Sequence, residues 1–161
     1  MKDPDERRRF LIGIYLRQLK SAGLDYVFHF EMLDGGNRTE YFLVFATHSK
    51  EGLKAMKAAM WKADPAGRFR FSDASVNDQL RLIQPEPDYY QLKQLLVQRF
   101  SGAPARIEAV EDFVVVETPF RETHFRNQIL RPMEKAAELE VVSSPRKGSR
   151  GYPPGTVILI H

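Results

Sequence analysis

Residues 89–160 read YYQLKQLLVQRFSGAPARIEAVEDFVVVETPFRETHFRNQILRPMEKAAELEVVSSPRKGSRGYPPGTVILI. The spacing of apolar side chains in this stretch decides the fold. Asp88 can cap a helix, and behind it Tyr89, Leu92, Leu95, Leu96 and Phe100 fall on one side at helical spacing. Gly102 is a natural stop, since glycine enters the left-handed region cheaply. A second helix is predicted after Pro104, with Ile107, Val110, Phe113 and Val114 inside and Glu108, Glu111 and Asp112 outside. The β-branched run Phe113–Val116 would also suit a strand, but helical spacing already begins at Ile107. Thr118-Pro119 marks a boundary, because proline lacks an amide hydrogen and restricts the residue before it.

A third helix is predicted from Glu122 to Glu138. Phe125, Ile129, Leu130, Met133, Ala136 and Ala137 make its inner side. His124, Asn127, Gln128, Arg131 and Lys135 make its outer side. Arg126 falls in the apolar arc, so it must snorkel outward or lie at a frayed start. Pro132 should kink the helix. Two strands follow, Glu140–Ser143 and Thr156–Ile160, joined by a loop from Pro145 to Gly155 that carries Arg146, Lys147 and Arg150.

Three helices and a basic hairpin over residues 88–161 follow the winged helix-turn-helix plan. Its third helix enters the major groove, where Asn, Gln and Arg can read base edges and loop cations can meet phosphates. The expected nucleic-acid contacts are therefore His124, Asn127, Gln128, Arg131, Lys135, Arg146, Lys147 and Arg150. A polar helix face is more often merely solvated, and a basic loop merely soluble. The bias over residues 121–150, seven Lys/Arg against four Asp/Glu, is mild. A protein-docking platform is the competing use of such a module.

The whole chain has the composition of an ordinary globular protein, 43% hydrophobic and 28% charged over 161 residues. A net charge of +3 and a pI near 9.2 allow an anionic partner without requiring one. With no cysteine, disulfides, thiolate metal sites and a cysteine nucleophile are excluded. No apolar run approaches the ~20 residues of a membrane span. The polar, acidic start Asp3-Pro4-Asp5-Glu6 does not read as a signal peptide, so a cytoplasmic protein without membrane contact is expected.

Residues 7–84 form a smaller unit in this reading. Arg7–Ala22 is predicted helical, with Phe10, Leu11, Ile14, Leu16 and Leu19 apolar and Gly23 as the stop. Arg7-Arg8-Arg9 reads as a solvated first turn. Tyr26–Leu33 alternates, Asp34-Gly35-Gly36-Asn37 turns, and Tyr41–Ala46 returns as a strand apolar on both faces. His29 and Glu31 share a strand face, which is commonplace and weak evidence of catalysis. Ser49 caps a helix with the stripe Leu53, Met56, Met60 and Ala63, beside Trp61, closed by Asp64-Pro65. These Met and Trp positions suit a core better than a cofactor box. Residues 67–73 alternate briefly and turn. Gln79–Ile83 suits a short strand, and Gln84-Pro85-Glu86-Pro87-Asp88 a linker. A doubly apolar strand needs cover, so this unit is expected to pair with a second copy as a homodimer or to pack on the other unit. The expected fold is α/β of the α+β kind: helix, β-hairpin and helix, then a winged helix.

Several of these words, in order, resemble the C-terminal half of the three-Cys-motif partner protein family. They are Tyr41–Thr47, Gly52–Lys57, Ala59–Lys62, Asp64-Pro65 and Phe71-Ser72-Asp73, then Phe113–Phe120, His124, Gly151-Tyr152-Pro153 and Gly155-Thr156. The similarity spans nearly the whole chain from about Arg7. It implies a winged helix-turn-helix tail behind a methyltransferase-like domain, and a three-cysteine-motif iron–sulfur protein as partner. The cofactor-binding part of that domain is missing here. No Gly-rich strand-to-helix turn is present, so the resemblance carries over neither a methyltransferase activity nor a cofactor. The chain is then either a natural short form or a fragment of a longer protein.

Other chemistry is equally sparse. There is no nucleophile elbow, P-loop or HExxH, and His29, His48, His124 and His161 lack metal-ligand spacing. The expectation is a non-catalytic module without cofactor or metal.

Overall fold

The computed structural model describes residues 3–34, 36, 38–65, 70–72, 87–145 and 151–161. The chain is an α+β protein that divides into two compact units, Met1–Gln84 and Pro85–His161.

The first unit opens with helix α1, Pro4–Ser21, which begins one turn earlier than the spacing predicts. Proline is at ease there because the first turn has no use for its missing amide hydrogen. Gly23 ends the helix at φ +93°, with Leu24 N donating to Leu19 O, a glycine-capped terminus. Strands β1 (Tyr26–Leu33) and β2 (Thr39–Thr47) pair antiparallel, with Phe28 opposite Phe45 and Phe30 opposite Leu43. Asp34 builds the turn: its carboxylate accepts from the amides of Gly36 and Arg38. A short strand β3, Arg70–Ser72, lies parallel to β1 on its other side. The sheet order is thus β2-β1-β3.

Within the single chain, β2 is only partly covered. The middle strand β1 buries Val27, Phe30 and Leu33, while β2, at the sheet edge among the described residues, leaves Tyr41 and Leu43 about half exposed. Position in the sheet, not apolarity alone, sets burial. Phe10 and Leu11 of α1 are likewise exposed.

Helix α2 runs Lys50–Ala63. The Ser49 hydroxyl accepts from Gly52 N at 3.1 Å, the expected cap. Gly52 sits in a tight spot, since a β-carbon there would lie 3.2 Å from Thr47 Oγ1 and that side chain would have to give by a few tenths of an ångström. The buried stripe is Leu53, Lys57, Met60 and Trp61. It differs from the expected stripe by admitting Lys57, leaving Met56 only half-buried and leaving Ala63 exposed. Lys57 is fully buried, its ammonium 4.8 Å from the centre of the Phe28 ring, where the π face favours a cation. The expected strand at Gln79–Ile83 and linker at 84–86 lie outside the described residues.

The second unit begins with α3, Tyr89–Phe100, capped as expected by Asp88, whose carboxylate accepts from Gln91 N at 2.9 Å. Leu92 and Leu96 are fully buried. Gly102, at φ +81°, turns the chain into the short strand β4, Ala105–Arg106. Helix α4 is Ile107–Glu117, so the β-branched run Phe113–Val116 is helical. Thr118 closes it: its hydroxyl donates to Val114 O and accepts from Phe120 N.

The predicted third helix is the largest departure. Residues 121–125 form turns, Arg126–Leu130 a π turn, and only Arg131–Lys135 an α-helix, α5. The amides of Leu130 and Arg131 reach five residues back, to Phe125 O and Arg126 O. The widening comes just before Pro132, which has no amide to continue the regular ladder. Ala136 and Ala137, expected inside, are exposed beyond the helix, and Ala137 adopts φ +58°. Strands β5 (Leu139–Ser143) and β6 (Val157–Ile160) complete an antiparallel sheet of order β4-β6-β5.

Candidate nucleic-acid interface

The π turn and α5 together present one polar face. Phe125, Ile129, Leu130 and Met133 are all buried, which fixes the segment against the core of its unit. Asn127, Gln128, Arg131 and Lys135 are consequently all exposed. Four of the eight candidate residues thus share one surface. Arg126, the cation in the apolar arc, is held sideways. Its guanidinium pairs with Glu111 on α4 at 2.8 Å and lies over the Phe125 ring, so it is committed within the fold.

His124 sits in the turn before this segment and not on a helix face, because the helix starts later than expected. Its Nδ1 accepts from Arg121 N at 3.3 Å, and its ring meets the edges of Tyr89 and Phe120. Half-buried, it braces the turn against α3. Arg146, Lys147 and Arg150 lie outside the described residues.

The return arm of the loop is anchored to the fold. Tyr152 is 4% exposed. Its hydroxyl donates to Glu134 Oε2 of α5 at 2.7 Å. Burial first, then the bond and charge of Glu134, push the phenol well above its ordinary range, with Arg131 acting the other way. Three residues on, Gly155 N donates to Glu108 Oε1 at 2.5 Å. The backbone amides of Glu108 itself and of Gly155 hold the Glu108 carboxyl below its ordinary range. Thr156, buried, donates to Pro153 O at 2.7 Å, and its own carbonyl accepts from Ile107 N. The arm is therefore tied to α5 on one side and to the start of α4 on the other.

Glu134, Tyr152 and Glu108 are not among the candidate site residues that the sequence suggests. A tyrosine among glycines and prolines next to a basic run was the available signal, since a large ring there asks for a pocket.

In the first unit, β1, β2 and α2 enclose an apolar groove of about 340 Å³ lined by residues including Phe30, Met32, Leu43, Met56 and Met60. His29, on β1, is shifted downward by burial, partly opposed by Glu31. Among the described residues no cluster of His, Asp and Glu could hold a metal ion, and no helix is long and apolar enough to cross a membrane. No protein-family model matches the chain, and no curated protein or solved structure is significantly similar to it.

Proposed function

We propose that the second unit is a winged helix that binds duplex nucleic acid and acts by recognition, not catalysis. The observation that carries this reading is the shared face of Asn127, Gln128, Arg131 and Lys135, exposed over a buried backing of Phe125, Ile129, Leu130 and Met133. The order of elements supports it: helix, short strand, helix, broken helix, then two antiparallel strands. Asn and Gln reach adenine edges bidentately, Arg reaches guanine, and Lys135 meets a phosphate. Arg146, Lys147 and Arg150 supply further phosphate contacts from the loop.

Titration of the chain into a labelled random-sequence duplex at low and moderate salt tests this. Binding should weaken steeply with salt. Replacing Arg146, Lys147 and Arg150 together with alanine should lower affinity across all sequences and flatten the salt slope by roughly one per lost phosphate contact. Equal binding by parent and triple variant would sink the wing assignment.

The apolar groove of the first unit favours a second reading, an adaptor that docks a partner protein such as a three-cysteine-motif iron–sulfur protein. Co-purification that survives high salt would support it, since apolar docking is insensitive to screening.

A further inference from the structure

One residue beside the proposed reading face carries the wrong charge for a phosphate partner. Glu134 is exposed on α5, adjacent to Lys135 and three residues, about one helical turn, after Arg131. An ordinary surface glutamate would rotate away from an approaching polyanion. This one is held, because the hydroxyl of the buried Tyr152 donates to its Oε2 at 2.7 Å. A phenol is a donor throughout the neutral range, and burial with the Glu134 contact moves Tyr152 further in that direction, while the Arg131 cation acts the other way on the same phenol. An ionised carboxylate offers roughly four acceptor sites, and the tyrosine occupies one. A fixed carboxylate on a groove-entering face repels phosphate, and it accepts a hydrogen bond from the exocyclic amine of cytosine. Both effects narrow the set of acceptable sites, because a mismatch leaves the charge facing acceptors.

Building on the duplex-binding reading above, we infer that Glu134 is a specificity-determining residue, a tyrosine-held carboxylate that selects cytosine at one position of the bound duplex and penalises other placements.

The test compares the parent with Glu134→Gln and Tyr152→Phe. Each is titrated into a short random-sequence DNA duplex and put through sequence selection on the same random pool, with a thermal melt to confirm folding. Glu134→Gln keeps an acceptor oxygen for Tyr152 and removes the charge. It should bind the random duplex about fivefold more tightly, the effect of one close, water-screened charge pair. Its selected sites should lose the parent's cytosine position, moving toward adenine, which glutamine reads. Tyr152→Phe keeps the charge but frees the carboxylate. Its random-duplex affinity should stay within about twofold, with a weakened cytosine preference. If Glu134→Gln binds with the parent's affinity and selects the parent's sites, Glu134 is only an anchor for the loop and the inference fails while duplex binding stands. Selected parental sites with no cytosine position have the same consequence. If the folded parent binds no duplex at all, the duplex-binding reading falls and takes this inference with it.

Discussion

Ala137 shows how much a single backbone angle can matter. It stands at φ +58° just past α5, with Glu138 N donating to Met133 O, the geometry that helices usually close with glycine. A β-carbon in that conformation costs about 1–2 kcal/mol, and glycine would give back part of this through its greater freedom when unfolded. Ala137→Gly should therefore stabilise the protein by about 0.5–1 kcal/mol, read as a higher denaturant midpoint with an unchanged slope. Glu108 makes a different kind of single-residue statement. Its carboxyl is depressed by backbone amides, so its native contact favours the ionised form. A depressed native pKa adds stability above the unfolded value, and that stability is lost as pH falls through the native one. The Gly155 amide resonance should accordingly titrate with a midpoint below the ordinary glutamate value of about 4.3. A midpoint at or above that value would show that the contact does not persist in solution. Such residues are invisible to sequence reading because their partners are remote: Glu108 reads as one more polar position on a helix, and only the fold brings Gly155 to it.

Among the elements, those with a strong local signal were legible. Asp88 and Ser49 cap their helices as their sequence contexts indicate, and Gly23 and Gly102 end theirs in the left-handed region. Asp34 closes the hairpin turn. The run Phe113–Val116 follows the periodicity begun at Ile107 instead of its β-branched composition. Strand β3 falls within the brief alternation of residues 67–73, whereas β4, two residues long, is too short to show any period and forms because a neighbouring strand offers hydrogen bonds. The broken third helix lies between these cases. Pro132 signals a disturbance, but whether it yields a kink or a π turn depends on the packing of Phe125, Ile129 and Leu130. Pro132→Ala restores the missing donor and should let the segment relax toward regular α-helix, raising far-UV helical signal. An unchanged spectrum would mean that packing alone holds the π turn.

At the scale of the whole molecule, the second unit is a compact unit with a continuous set of buried apolar residues. Leu92, Leu96, Ile107, Val110, Val114, Phe125, Leu130 and Ile158 are all fully buried. A chain trimmed to residues 87–161 should thus melt cooperatively and keep the duplex affinity of the full chain. Loss of the transition would show that this core needs the first unit. The first unit leaves Phe10, Leu11, Tyr41 and Leu43 exposed while burying Lys57, the reverse of what side-chain polarity alone suggests. The sequence by itself determined the α+β class, the helix caps and stops, the β1–β2 hairpin and the polar face of Asn127, Gln128, Arg131 and Lys135. All of these follow from interactions between residues close along the chain, or from a period repeated over several turns. The tertiary structure alone decided the burial of Lys57 and Tyr152, the exposure of Ala136 and Ala137, the π turn, and the ties of Glu134 and Glu108 to the loop arm. Burial and long-range hydrogen bonds depend on which distant surfaces meet, and no local spacing encodes that.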